Sequence, residues 1–465
     1  MERKWLRRMT VPVIATCTVL ANCSGKTTYT PGPPTAFAVV RLTASGAPDA
    51  TFAQGRGIVT TALDSSSDFA LAVSRHPVDA NPLNDKILTA GGSGFAGQGV
   101  IALVRYNPDG SLDPGFGIGG IVKTPLPSVA STAQAVAVQP DGQIVVAALT
   151  FAAVSGDNTT ATTGIALLRY NSNGTLDTAG FGAPQGFVTA QIGPGFTSDT
   201  CGLVLQSDGK IVVAGAASRA GDPQSGDLVV YRYDSSGVLD PAFGTAGSGG
   251  KTTVHLPALV SGATIARSPA IAHQTSGKII VATGTDADQV VLRLGTNGVL
   301  DTTFNAGTGF VTTDIGGSVN YANAVAVQSN DKIVVAGHSN VKSDTSDISV
   351  VRYGVDGALD LSFNSTGIAT ADLAGRFDNA LSLVLQDQSP ADSLIVVSGN
   401  AGYNGSPQMA VLRYKPDGSL DTSFGPTGEG IVLINVAGPS TVASGNALVL
   451  QAVGAGLGIL VAGYD

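Results

Sequence analysis

Four histidines, three cysteines and a thin scatter of carboxylates are what this 465-residue chain offers for nucleophilic, acid–base or metal chemistry. His76, His255, His273 and His338 stand far apart, and none has a second His or Cys at metal-ligand spacing. The acidic stretches DSSSD (64–68), TDADQ (285–289) and SDTSD (343–347) do not continue into a calcium loop, with its Asp or Asn at alternate positions and a closing Glu, and read as solvated turns. No HExxH, GxSxG or Walker-type loop occurs, so no motif calls for a metal or other cofactor. Cys201 reads as a small buried apolar residue.

The spacing that does recur belongs to Arg and Asp. An Asp followed three or four residues later by Phe appears at Asp49, Asp113, Asp177, Asp240, Asp301, Asp360 and Asp421, once in about every sixty residues. Eight residues before each stands an Arg: Arg41, Arg105, Arg169, Arg232, Arg293, Arg352 and Arg413. Five residues after each Arg stands a Gly, from Gly46 and Gly110 to Gly418. An active site needs unlike groups converging at one place, whereas seven equivalent pairs describe a scaffold device. They read as structural ion pairs, with the Phe as packing between units.

The elements that must position these pairs follow from the same segments. ALVRYN (102–107) reads as a buried strand, and PDG (108–110) as a three-residue hairpin loop whose Gly takes the left-handed bulge position. Tyr106 then faces Leu112, and Arg105 faces Asp113 across the strands. QAVAVQPDGQIVVAA (134–148), CGLVLQSDGKIVVAG (201–215) and NAVAVQSNDKIVVAG (323–337) are hairpins of two further strands, and GGIVKT (119–124) or GFVTT (309–313) supplies a fourth. His273 interrupts AIAHQ, where other copies carry Val, so it reads as a core or channel residue. Gly is abundant, at 61 residues, and charged residues are few, at 13%. The expected fold is all-β: a seven-bladed β-propeller of four-stranded antiparallel blades.

The ends sharpen this expectation. With strands a to d counted from the inside out, the chain begins with a c–d half (36–52) and ends with an a–b half (446–465). The two halves together make one composite blade, which closes the ring and removes its exposed edges. The repeat phrase ALVRYNPDGSLDPGFGIGGIVKT, with AVAVQPDGQIVVA, resembles the delta-60 repeat of bacterial exported proteins, and more loosely the NHL type. That resemblance spans about residues 36–465 and implies a propeller without implying a chemistry.

Before the repeats, MERKWLRR followed by an apolar stretch (9–21) reads as a signal peptide over residues 1–22. LANCSG (20–25) resembles a lipoprotein lipobox with Cys23 as the lipid attachment site, although Asn22 departs from the Gly, Ala or Ser expected there. Signal-peptidase cleavage after Ala21 and an uncleaved anchor are the alternatives. Residues 23–35 read as a flexible tether.

The net charge of −9 argues against nucleic-acid binding. In an antiparallel blade the a–b and c–d turns share one face, and here most of them are tight and repetitive. The b–c and d–a connections share the other face and vary widely, from TDADQ to TFAAVSGDNTTATTG (150–164). Variable loops on a rigid scaffold are the expected binding surface. The functional expectation is an exported, lipid-anchored, monomeric binding or scaffold protein of the bacterial cell envelope, with an envelope or extracellular protein or glycan as partner and with membrane contact through the anchor. The alternatives are a propeller enzyme of lyase, lactonase or glycosidase type, and a passive envelope component. Candidate residues at the channel mouth are those at or near the starts of strands a: Asp68, Asp199, Asn323, Asn379 and Asn446.

Overall fold

Strand b of each blade is written in β-branched and small residues because both of its faces are covered. In Ile211–Ala214 every residue is fully buried, and the same holds for Ile333–Ala336. A strand buried on both faces reads as a continuous apolar run, not as an alternation. Stacking such sheets radially gives the architecture seen in the computed structural model. It describes residues 35–63, 67–94, 99–127, 129–152, 163–191, 201–219, 222–255, 269–285, 287–316, 319–342, 345–373, 377–387, 393–402, 407–436, 443–454 and 456–464.

Seven four-stranded antiparallel sheets are arranged as the blades of a propeller. Blade one illustrates the order from the centre outward: strand a Asp68–His76, b Lys86–Ser93, c Val100–Tyr106 and d Ile121–Thr124. Blades two to six repeat it in chain order. Blade seven is composite: its strands a (Ser444–Val453) and b (Gly456–Tyr464) come from the end of the chain, and c (Phe37–Leu42) and d (Ile58–Thr61) from its beginning. The two halves join along Phe37↔Tyr464 to Leu42↔Ile459. Strand a of blade seven lies beside strand a of blade one and strand a of blade six, so the ring is closed.

The apolar core is divided by this geometry into seven clusters, one at each junction between neighbouring blades. The outermost strands are short, at four or five residues, which limits the free edge each blade presents.

Strand d falls within GGIVKT as expected, but one bound needs correction: the N-terminal c–d half runs on past residue 52, because its strand d is Ile58–Thr61. The segment after the Pro-Asp-Gly turn does not run on as strand d. It makes a single bridge, Tyr106↔Leu112, and leaves the sheet. Strand d begins only at Ile121 and pairs with the earlier part of strand c, Ile101↔Thr124 to Val104↔Ile121. The intervening loop delivers Phe116 into the junction with blade two and returns through Gly117, Gly119 and Gly120, all at positive φ.

Candidate functional site

The repeated Arg, Asp, Phe and Gly meet at every blade junction, on the face that carries the a–b and c–d turns. The Arg Nε donates to the Asp carboxylate of its own blade at 2.7 to 2.9 Å in all seven copies. The guanidinium lies over the Phe ring of its own blade, 4.5 to 5.1 Å from the centroid. Its Nη1 then crosses the junction and donates to a carbonyl in the c–d turn of the next blade. Arg41 reaches Pro108, Arg105 reaches Ser172 and Arg169 reaches Ser235. Arg232 reaches Thr296, Arg293 reaches Val355 and Arg352 reaches Pro416, at 2.5 to 2.6 Å. Arg413 reaches Ala44 and completes the circle.

Two further contacts fix the same junction. The backbone N–H after each Phe donates to the next blade's turn, as from Gly117 to Asn173 at 2.9 Å and from Gly425 to Ser45 at 2.8 Å. The Phe ring fills the space beside the next blade's turn Gly. A Cβ on Gly298 would meet Phe243 at 2.5 Å, whereas one on Gly209, at nearly the same positive φ, meets nothing within 4 Å. The pair separates backbone strain from crowding. Gly209→Ala should cost about 1–2 kcal/mol through the left-handed conformation alone. Gly298→Ala should cost a further ~1–3 kcal/mol from overpacking. Chemical denaturation of both variants measures the difference, and equal losses would show that the ring contact contributes nothing.

The carboxylates are held ionised. At Asp113 desolvation opposes ionisation, but the Gly115 N–H, Arg105 and Lys86 outweigh it and lower the pKa. At Asp301 desolvation is likewise outweighed, by Lys278, Thr303 and Arg293, and the carboxyl sits well below the usual range. Lys278 Nζ lies 2.9 Å from Asp301, and Lys332 Nζ lies 2.8 Å from Asp360.

One participant escaped the reading of the sequence. Strand a ends in Gln in six copies: Gln139, Gln206, Gln274, Gln328, Gln386 and Gln451. Gln451 Oε1 accepts from Arg41 at 3.2 Å, and Gln274 Oε1 from Arg293 at 3.4 Å. In blade one His76 takes this place, with Nδ1 3.3 Å from Arg105 Nη1. Aligning the a–b turns of all seven copies would have exposed it. Burial, then the Arg105 charge, then Lys86 lower the His76 pKa to about 4, against the opposing pull of Asp113. The folded protein therefore keeps His76 neutral where the unfolded chain, near pH 6.5, takes up a proton. Stability linked to His76 is present above pH 6.5 and is lost as the pH falls toward 4. His76→Gln should flatten that part of the pH–stability curve by up to ~3 kcal/mol, and unchanged curves from pH 7 to 4 would refute the linkage.

The strand-a candidates fall in different places. Asp199 lies outside the described residues, as do Cys23 and the segment around it. Asp68 is buried and accepts the Leu63 N–H at 2.7 Å, which closes the turn into strand a; Asp378 does the same for Leu373 at 2.6 Å. Asn323 and Asn446 are equivalent bulge residues, and each donates to a carbonyl of the next blade: Asn323 to Ala380 at 2.7 Å, Asn446 to Ala70 at 2.8 Å. Asn379 lies two residues before the corresponding bulge and accepts from Ser346 Oγ at 3.1 Å. Among the described residues, Asp68, Asn323, Asn379 and Asn446 are thus engaged in fastening turns and neighbouring blades.

On the opposite face a pairing appears that the sequence did not suggest. His255 Nδ1 lies 2.5 Å from the buried Asp227 carboxylate, an exposed imidazole oriented by its cross-strand partner. The residues are 28 positions apart, so spacing gave no signal. Among the described residues, no group of three His, Cys, Asp or Glu side chains gathers to hold a metal.

Fold and junctions together define a closed seven-bladed propeller whose repeated motif is a structural fastening. Seven segments, from 24–52 and 84–116 to 391–424, match the family described as "Domain of unknown function (DUF5122) beta-propeller", and together they cover just over half of the chain. The chain belongs to that family. No curated protein matches it in sequence. Among solved structures it is similar to Chaetomium thermophilum Sqt1 bound to the N-terminus of ribosomal protein L10, at 12% identity over 85% of this chain and 96% of that one, with a TM-score of 0.45. It is also similar to polysaccharide lyase Uly1, at 13% identity over 85% and 89% of the two chains, with a TM-score of 0.40. A protein of unknown function from Dyadobacter fermentans DSM 18053 matches at 12% identity over 71% and 93%, with a TM-score of 0.35.

Proposed function

We propose that this chain is an exported propeller of the delta-60 kind, anchored through Cys23 at the bacterial cell envelope, and that it binds an envelope or extracellular partner through its variable loop face. One observation carries the reading. The turn face is committed to seven near-identical fastenings, while the opposite face joins its strands by connections of unequal length and sequence. A rigid ring whose connections vary most on one side is suited to present loops there. That side also carries His255 on Asp227, whereas Asp68, Asn323 and Asn446 are engaged in fastening the ring itself.

Two measurements test the two halves of the proposal. The intact mass of the protein from a bacterial membrane fraction, beside Cys23→Ser, tests the anchor. A diacylglyceryl-type increment that vanishes in the variant supports it, and a mass matching cleavage after Ala21 refutes it. Photo-crosslinkers placed in the native envelope, at Asp79 or Asp356 on the turn face and at Asp288 or His255 on the loop face, test the binding surface. Adducts confined to the loop-face positions support the proposal; equal capture from both faces overturns it.

A further inference from the structure

Repetition allows each core position to be read seven times. The residue four places before the repeat Arg points into the junction with the next blade, and it is Phe37, Ile101, Ile165, Leu228, Ile348 or Met409 in six copies. In blade four it is Gln289, with no exposed surface. The residue three places before the Arg points into the junction with the preceding blade, and it is Ala38, Ala102, Ala166, Val229, Val290 or Ala410 in six copies. In blade five it is Ser349, also fully buried. Both exceptions therefore face the same junction, between blades four and five. Side chains along a strand alternate between its faces, and Ser349 shares its face with Val351 and Tyr353, which pack against Ile280, Ala282 and Val291 of blade four.

More polar groups converge there. Tyr353 Oη, from blade five, contacts Thr313 Oγ1 at 2.7 Å and donates to Gln289 Oε1 at 3.4 Å, both on blade four. Thr313 lies directly across from Gln289 in the sheet. Asn320 and Ser339 are cross-strand partners in blade five, and Asn320 Nδ2 donates to Ala287 O of blade four at 2.6 Å. Four buried polar atoms are left over. Among the described residues, Gln289 Nε2, Asn320 Oδ1, Ser339 Oγ and Ser349 Oγ have no hydrogen-bond partner. A buried polar group without a partner costs ~1–3 kcal/mol, and native proteins rarely carry several together.

We propose that the junction of blades four and five is a hydration site, in which ordered internal water accepts from Gln289 Nε2, donates to Asn320 Oδ1 and bonds the hydroxyls of Ser339 and Ser349. The guest is neutral because none of these four side chains is charged. It is small because all four side chains are closed off from solvent. This junction is thus held partly through solvent at Gln289 and Ser349, two positions where the other six copies carry apolar side chains.

The test compares the full-length protein with the double variant Gln289→Leu, Ser349→Ala, which installs residue types that other blades carry at these positions. Oxygen-17 magnetic relaxation dispersion counts long-lived internal waters in each, and a high-resolution crystal structure of the unaltered protein locates them. The expected result is water density within hydrogen-bond distance of Gln289 Nε2 and Ser349 Oγ, with at least one long-lived water fewer in the variant. A dry junction in the crystal overturns the proposal, whether or not the variant folds. So does an unchanged water count in a folded variant. A small organic molecule released on denaturation, found by mass spectrometry and fitting the same density, would also overturn the assignment to water.

Discussion

A chain ending at Val453 should not form the ring. The missing residues include strand b of the composite blade, the only element joining the two ends of the sequence within that sheet. It pairs on one side with Phe37–Leu42 and on the other with Ser444–Val453. Ile459, Leu460, Val461, Ala462 and Tyr464 are buried within it. Each large apolar side chain contributes roughly 1.5–3 kcal/mol. Their sum approaches the ~5–15 kcal/mol by which a typical domain is stable. The truncated protein is expected to lose its cooperative thermal transition and to associate through its uncovered strand edges. Calorimetry and light scattering read both outcomes. A monomer with a sharp transition near that of the intact chain would mean that blade seven is dispensable.

The second large effect is expected at Arg413. Its side chain pairs with Asp421 at 2.7 Å, lies 4.6 Å from the centre of Phe424 and bonds Ala44 of the composite blade. Arg413→Ala leaves a carboxylate about nine-tenths covered without its cation, and such losses cost ~3–5 kcal/mol. Asp421→Ala strands the guanidinium in the same way. The double variant leaves neither charge alone, so its destabilisation should fall well short of the sum of the two single losses. Urea titration of the four proteins gives the coupling directly. Strict additivity would show that the two side chains do not act as a pair.

Most of the architecture was legible in the sequence because it is repeated. Seven copies of Arg, Gly, Asp and Phe at fixed offsets constrain one local geometry, and the complementary half-repeats at the ends constrain the closure. Strand d was legible in GGIVKT (119–124), but the path to it was less so, since the glycines after Phe116 allow the chain to leave the sheet before it pairs again. The individual side chains were least legible. Asp68, Asn323 and Asn446 look like a polar rim when read along one strand, yet their hydrogen bonds run to a preceding turn or to the next blade. His255 and Asp227 meet only because two strands lie in register. Gln289 and Ser349 become visible when equivalent positions are compared across blades, since each is unremarkable within its own segment.

The fastenings also have a direction. At every junction the guanidinium belongs to one blade and the accepting carbonyl to the blade that follows, including the step from Arg413 back to Ala44. Such head-to-tail contacts do not by themselves specify seven units; they close only when the turn between successive units adds up to a full circle, and otherwise they propagate as an open fibre. A molecule opened along the seam of Phe37–Leu42 with Ile459–Tyr464 would therefore carry an unused donor, Arg413, towards one end and an unused acceptor, Ala44, towards the other. It would be a bifunctional monomer, able to add to a second opened copy by the same bonds that otherwise seal it into a ring.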